Sequence, residues 1–246
     1  MTFTTQRVAY FLILLFATLN ATAVEQSDTP VSEMAPATAK TVHSPADEKR
    51  LLKRFANIKT VTAEFTQKLY TSESNKPQLT YGKLLIAGGD KFRLEYTKPY
   101  EQLYIANGKE FLFYDVDLEQ ITIKPQTKEL ANTPAMILSN PVIFIQKYFV
   151  KLNKDSYSEE YILTAKTDTT AYNKILLSFK NTRLKTMLIE DSFGQETELD
   201  FTKIVYNRKI PDSVFNYTPP EGVDVISSVS KNKKKINQKA KISENK

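Results

Sequence analysis

The chain of 246 residues contains no cysteine, no tryptophan, a single histidine and only 6 glycines. Without cysteine, the protein has no disulfide, no thiolate nucleophile and no cysteine that could be acylated. The scarcity of glycine argues against low-complexity sequence and against a glycine-rich nucleotide loop. A folded domain in this chain must therefore be stabilised by its core alone.

The residues needed for common catalytic and metal sites are also missing or isolated. His43 cannot form a Ser–His or Cys–His pair or a His/Cys metal cluster within a predicted fold that begins after it. Two carboxylate pairs, Asp115 with Asp117 and Glu190 with Asp191, lie at predicted turns, where solvated acids are usual. The sequence predicts a protein that is not an enzyme and has no metal or cofactor.

The N-terminal region has the pattern of an export signal. Arg7, an apolar run over 8–19 and an Ala-x-Ala site at 21–23 predict a cleavable signal peptide over residues 1–23. The alternative is an uncleaved anchor, although the run is short for a bilayer. Residues 24–43, rich in Ser, Thr, Pro and Ala, are interpreted as a flexible leader.

The C-terminal residues 227–246 carry the basic charge of the chain. Between 231 and 246 there are seven lysines and one glutamate, a balance of +6 that equals the formal charge of the whole protein. The preceding part is therefore close to neutral. The segment lacks apolar residues for a core and is predicted to be a disordered tail. Such a tail is either a solvated extension or a contact to anionic lipid or nucleic acid.

Two helical segments are predicted. Ser44 as N-cap and Pro45 in the first turn begin an amphipathic helix over 45–57. Thr133 and Pro134 give the same pattern to a second helix, which continues as a short helix or turn at 142–145.

The remaining segments alternate with the period of β-strands. A first strand is predicted over 60–68, and the stretch 79–124 consists of short apolar and aromatic runs separated by turns, among them the hairpin signal Asn107-Gly108. Aromatic residues at alternating strand positions indicate a core or a cavity lining, and they argue against a nucleic-acid partner. Further strands are predicted at 161–165, 174–180, 184–190, 196–206 and 215–217. About ten or eleven antiparallel strands should curl toward a barrel whose open mouth is covered by the helices.

A set of motifs, in this order, resembles the outer-membrane lipoprotein carrier proteins (LolA) over roughly 48–226. The motifs are Ala63–Gln67, Phe92–Tyr96, Asn107–Lys109, Tyr114-Asp115, Leu118–Gln120, Thr133–Ala135, Asp191 with Gly194-Gln195, Phe215 and Pro219–Asp224. The resemblance implies a mainly β fold, an unclosed antiparallel β-barrel with an α-helical lid, formed by residues 44–226.

The resemblance also implies a function. Such proteins are periplasmic chaperones that accept acylated lipoproteins from an inner-membrane lipoprotein-releasing ABC transporter and pass them to an outer-membrane receptor. The receptor carries an acylated cysteine, so this chain resembles the soluble carrier, expected to be a monomer. Two alternatives stay open: a periplasmic sensor or regulatory lipid-binding module of the same fold, and a structural β protein with a filled core.

The expected acyl-chain site consists of apolar residues of the sheet and the helices. These residues are Leu52, Phe55, Phe65, Leu84, Ile86, Phe92, Leu94, Tyr96, Phe111, Phe113, Met136, Ile137 and Leu138. Many family members have an Arg-Pro pair after the second strand, whose arginine latches the lid, and this chain has Gly88-Gly89 at the matching positions. Arg93 is either a substitute latch or an outward-facing residue paired with Glu95.

Overall fold

The computed structural model describes residues 44–71, 76–126 and 134–229. The predicted signal peptide, the leader and most of the lysine-rich tail lie outside this part of the chain. Within it, no helix combines the length and the apolar character needed to cross a membrane.

The described residues form three short α-helices, one 3₁₀ helix and twelve strands. The α-helices are α1 (Pro45–Phe55), α2 (Pro134–Ser139) and α3 (Pro141–Ile145), and the 3₁₀ helix is Asp212–Phe215. The strands are β1 (Thr60–Tyr70), β2 (Gln78–Ala87), β3 (Lys91–Lys98), β4 (Gln102–Asn107), β5 (Glu110–Asp115), β6 (Gln120–Pro125), β7 (Tyr148–Lys154), β8 (Ser158–Ala165), β9 (Tyr172–Lys180), β10 (Arg183–Asp191), β11 (Glu196–Tyr206) and β12 (Asp224–Ser227).

All twelve strands belong to one sheet in the order β12-β6-β5-β4-β3-β2-β1-β11-β10-β9-β8-β7. Neighbouring strands are antiparallel except β12 and β6, which are parallel. Strand β1 joins the two meanders, because it pairs with both β2 and β11. Among the described strands, β7 and β12 have a neighbour on one side only, so the predicted mainly β, unclosed architecture is confirmed.

The strand prediction needs three corrections. Strands β7 and β12 were not predicted. The strand expected at 215–217 is absent, because Phe215 ends the 3₁₀ helix instead. The described residues therefore contain twelve strands rather than ten or eleven, and one edge pair is parallel.

Helix α1 begins as its sequence predicts and is fixed to one half of the sheet. The backbone amides of Asp47 and Glu48 donate to the carbonyl of Ser44 at 3.0 and 3.2 Å. The Asp47 carboxylate then accepts a hydrogen bond of 3.0 Å from the backbone amide of Leu152 on β7. This contact sets the start of the helix against the edge strand.

An ion pair fixes the other end of α1. Arg54 pairs with Glu159 of β8, donates to the Tyr161 hydroxyl at 3.3 Å and lies 5.0 Å over the ring of Phe179. Burial alone would raise the pKa of Glu159, but its hydrogen bond and the charge of Arg54 bring that pKa below its ordinary value. The helix is therefore a fixed part of the fold at neutral pH.

The sheet has an apolar core on each of its two faces. The inner face packs against α1, α2 and α3, and its core contains residues of both meanders. The outer face has a smaller core around Leu103, Ile105, Leu112 and Ile121, covered by Phe215 of the 3₁₀ helix. Strands β4 and β5 consequently contact apolar residues on both sides, which fits their nearly continuous apolar sequence.

Candidate functional site

The inner face of β1 to β5 is arranged in layers that follow the strand register. Nearest the helices lie Val61, Ile86, Phe92, Ala106 and Phe111, which are successive cross-strand neighbours. The second layer, in the same strand order, is Ala63, Leu84, Leu94, Tyr104 and Phe113, and the third contains Phe65, Gly82, Tyr96 and Gln102. The predicted sheet residues of the site therefore share one face.

The two halves of the inner face differ in how completely they are covered. Tyr161, Leu163, Ile175 and Leu177 on β8 and β9 are each 0% exposed. Across β3, β4 and β5, the apolar residues of the second and third layers stay half-buried although they pack against the same core. We call this half-buried surface the inner wall; it consists of Leu94, Tyr96, Tyr104 and Phe113. A partly open apolar surface inside a sheet is a candidate binding surface.

Aromatic contacts hold the inner wall together. Tyr104 stacks on Phe113 with ring centroids 4.7 Å apart and meets Tyr96 edge-on at 5.8 Å. Tyr96 in turn meets Phe65 edge-on at 5.5 Å. Packed rings of this kind present a continuous apolar surface that needs little rearrangement to accept a ligand.

The tyrosine hydroxyls of the inner wall are bonded to glutamine side chains of the same face of the sheet. Tyr96 donates to the side-chain oxygen of Gln67 at 3.0 Å, and Tyr104 donates to that of Gln102 at 3.2 Å. Burial raises the pKa of both tyrosines above the ordinary value, so the rings are neutral at physiological pH. The polar atoms are satisfied within the protein, and the ring faces are left for apolar contacts.

A cleft of about 630 Å³ opens between α1, the first layer of the sheet and the lid. Its apolar lining comes from Leu52, Phe55, Ala56 and Ile58 of α1 and the following turn, Val61 and Ile86 of the sheet, and Leu138, Pro141 and Val142 of α2 and α3. Lys49, Lys53, Lys59, Gly88, Ser139 and Asn140 complete the lining. The volume lies within the range of about 300–1,000 Å³ that is usual for ligand pockets.

The lid consists of α2 and α3, which cover the cleft and the first layer. Ala135, Ile137 and Leu138 are buried, and Phe144 stacks on Tyr148 of β7 at 5.0 Å. A side-chain hydrogen bond of 2.8 Å from the Asn140 amide to the Asp90 carboxylate ties the lid to the β2–β3 turn. The turn that contains Gly88-Gly89 therefore contacts the lid through Asp90.

Arg93 lies on the outer face, away from the lid. Its guanidinium donates to the Glu95 carboxylate at 2.6 Å and to the Val214 carbonyl of the 3₁₀ helix at 3.2 Å. Of the two alternatives for Arg93, the structure shows the outward-facing residue paired with Glu95 and not the lid latch, because alternate residues of β3 point to opposite faces.

The structure brings together nearly all of the predicted site residues. Leu52, Phe55, Ile86 and Leu138 line the cleft; Leu94, Tyr96 and Phe113 belong to the inner wall; Phe65, Leu84, Phe92, Phe111 and Ile137 are buried in the same core. The side chain of Met136 lies outside what the structure describes. The role of the whole set in binding stays a prediction.

Sequence reasoning missed Tyr104, Val61, Ile58 and the lysines of the cleft. Tyr104 stands between Leu103 and Ile105, so neither face of β4 reads as the polar one. The lysines gave no signal, because exposed lysines are common on any helix. In the described part of the chain, no group of three acidic, His or Cys side chains could hold a metal.

Removing the lid's polar contact should loosen the lid without unfolding the sheet. We expect Asn140→Ala to cost about 1 kcal/mol of lid closure, because the Asp90 carboxylate returns to water when its partner is lost. Hydrogen exchange followed by mass spectrometry should show amides over 134–139 exchanging about fivefold faster, with β8 and β9 unchanged. Asn153→Ala, an exposed position of β7, is the matched control. Equal exchange rates of the 134–139 amides in the two variants would contradict a role of the Asn140–Asp90 hydrogen bond in holding the lid.

The fold and the site together define a class of proteins: open antiparallel half-barrels whose apolar inner face is covered by short helices. Residues 56–218 match the family model described as Outer membrane lipoprotein carrier protein LolA. The chain belongs to this family.

Individual relatives support the assignment. An outer-membrane lipoprotein carrier protein of Neisseria meningitidis serogroup B is 35% identical over 179 residues, 72% of this chain and 86% of the relative. That of Chromobacterium violaceum is 37% identical over 180 residues, covering 72% and 85% of the two chains. An uncharacterized conserved protein from Thermus thermophilus superposes with a TM-score of 0.50 at 12% identity, covering 73% of this chain and 98% of that one. This last similarity concerns the fold alone.

Proposed function

We propose that this protein is a periplasmic lipoprotein chaperone that shields the acyl chains of its cargo between the inner face of the sheet and the lid. The family assignment supports carriage of lipoproteins, because the family and its members are named as lipoprotein carrier proteins. The predicted signal peptide supports export. The observation that carries the proposal is the half-buried apolar inner wall, which lies inside the half-barrel.

The physical need for such a protein follows from the cost of apolar surface in water. Each methylene group withdrawn from water stabilises the complex by about 0.8 kcal/mol, so a free acyl chain would otherwise partition into the nearest membrane. The inner wall and the apolar residues of the cleft offer aliphatic and aromatic contacts. Such contacts bind an acyl chain without demanding one fixed geometry, which suits a carrier that must also release its cargo.

The lid supplies the means of release. Helix α1 is fixed by Asp47 and Arg54, whereas α2 and α3 are tied to the β2–β3 turn through Asn140 and Asp90. We propose that α2 and α3 move to admit and release the acyl chains while α1 stays in place. The cargo would come from the inner-membrane lipoprotein-releasing ABC transporter and leave to the outer-membrane receptor, with the carrier acting as a monomer.

The proposal is tested by the cargo that the protein carries in the periplasm. Affinity purification from a periplasmic extract, followed by mass spectrometry, should recover proteins whose N-terminal cysteine is acylated, in a complex with one copy of the chain. A tagged periplasmic protein of another fold, purified in parallel, is the control. Recovery of no acylated protein above that control would overturn the proposal.

A further inference from the structure

Three lysines stand at the cleft, and none of the lining residues is acidic. Lys49, Lys53 and Lys59 are exposed members of the lining. Within the described residues, none of the three forms an ion pair. Other lysines of the described chain do: Lys68 lies 2.8 Å from both Glu198 and Asp200.

The three lysines are held on rigid supports. Lys49 and Lys53 are one turn apart on the same side of α1, the helix that Arg54 fixes to β8. The turn before Lys59 is clamped by Asn207, which accepts from the Lys59 amide at 2.8 Å and donates to the Asn57 carbonyl at 2.9 Å. The backbone positions that carry the three lysines are therefore fixed beside the cleft.

This arrangement is unfavourable in the empty protein. Like charges spaced four residues apart destabilise a helix slightly, and a third charge beside them adds to the repulsion. An anion at the mouth of the cleft would relieve the repulsion. An apolar group attached to that anion would at the same time fill the lining formed by Leu52, Phe55, Ile86 and Leu138.

We propose that the cleft binds an anionic glycerophospholipid, with an acyl chain among the apolar side chains and the phosphate beside Lys49, Lys53 and Lys59. The proposal rests on acyl-chain binding as the proposed function and adds a charged headgroup to it. The preference for anionic headgroups comes from charge complementarity, since among the described residues three lysines without an ion pair, and no acid, line the apolar cleft. Phospholipid is thus a second ligand class for the same carrier.

The test compares two short-chain lipids that differ in headgroup charge. Dioctanoyl phosphatidylglycerol and dioctanoyl phosphatidylcholine, each below its micelle concentration, are titrated into the purified protein by calorimetry. We expect phosphatidylglycerol to bind about tenfold more tightly, with the difference shrinking in high salt because exposed charges are screened. Glycerol phosphate, which has the charge without the chains, should bind far more weakly than either lipid.

Matched variants assign the preference to the three lysines. Replacing Lys49, Lys53 and Lys59 together by glutamine should abolish the tenfold preference, because the affinity for phosphatidylglycerol falls to about that for phosphatidylcholine. Replacing Lys98, Lys109 and Lys174, which are exposed and are not among the residues that line the cleft, removes the same charge and should keep the preference.

The outcomes separate this proposal from the function on which it rests. Equal affinity of the wild-type protein for the two lipids would overturn the headgroup proposal and leave acyl-chain binding standing. The headgroup proposal would also be overturned if the preference for phosphatidylglycerol survived in the variant without the three cleft lysines. It would equally be overturned if that preference disappeared in the control variant. Binding of neither lipid would contradict the cleft as an acyl-chain site, and the headgroup proposal with it.

Discussion

Substitution of Leu94 by glutamate is expected to abolish the release of lipoproteins from spheroplasts while the protein stays folded. Leu94 lies in the middle of the inner wall, with Leu84 and Tyr104 as its cross-strand neighbours. Its side chain is half-buried, so a glutamate there keeps access to water in the empty protein. A bound acyl chain would bury that carboxylate without a partner, which is strongly unfavourable.

The effect on binding should be large. We expect at least a hundredfold loss of acyl-chain affinity, which corresponds to about 2.8 kcal/mol at 1.4 kcal/mol for each factor of ten. Release is measured as the labelled lipoprotein recovered in the supernatant after purified protein is added to spheroplasts. Circular dichroism should show an unchanged fold and a small change in Tm.

The control is the same substitution on the other face of the sheet. Leu79→Glu, at a β2 position that is 44% exposed, introduces the same charge without touching the inner face. It should release lipoproteins as the unchanged protein does. Normal release by Leu94→Glu would show that the inner wall does not carry the acyl chains.

The sequence predicted the inner wall more accurately than it predicted the strands around it. Phe92, Leu94 and Tyr96 alternate with Arg93 and Glu95, and strict alternation identifies the buried face of β3 without ambiguity. The hairpin at Asn107-Gly108 then fixes the register that brings Phe111 and Phe113 to the same face. Local sequence therefore determined this part of the site.

Strand β4 shows why Tyr104 was missed. Leu103 and Ile105 are as apolar as their neighbours because the outer face of β4 is also buried. The outer face of β4 is covered by Phe215, which comes far later in the chain, in a segment predicted as a strand. A contact of such sequence separation leaves no periodicity that a local pattern could reveal.

The missed strands have a related explanation. Two short apolar runs, at 142–145 and 148–150, are separated only by Gln146 and Lys147 and belong to α3 and β7. Short apolar runs do not distinguish a helix from a buried strand. Strand β12 has four residues and pairs in parallel with β6, a long-range pairing without a turn signal. Pairing with strands elsewhere in the fold therefore determines that both β7 and β12 are strands.

A second large effect is expected at Gly82, where an alanine should destabilise the protein by about 2 kcal/mol or more. An added Cβ would lie well inside van der Waals contact of the Phe65 ring and of the Glu95 backbone carbonyl on β3. Overpacking costs about 1–3 kcal/mol, and a backbone atom cannot rotate away as a side chain can. The Tm in a thermal melt should fall by about 4–8 °C, since 1 kcal/mol corresponds to about 2–4 °C for a chain of this size.

The cause of this destabilisation can be separated from the general effect of replacing glycine. A Cβ at Gly88 would meet no atom within 4 Å, so Gly88→Ala should change stability by no more than about 0.5 kcal/mol. In a Phe65→Leu background, Gly82→Ala should cost less than in the unchanged protein, because the ring that it displaces is gone. The cost should nevertheless not vanish, because the Glu95 carbonyl remains in place. A Gly82→Ala variant as stable as Gly88→Ala would contradict the close approach of β2 and β3, and with it the position of Phe65 against Tyr96 in the inner wall.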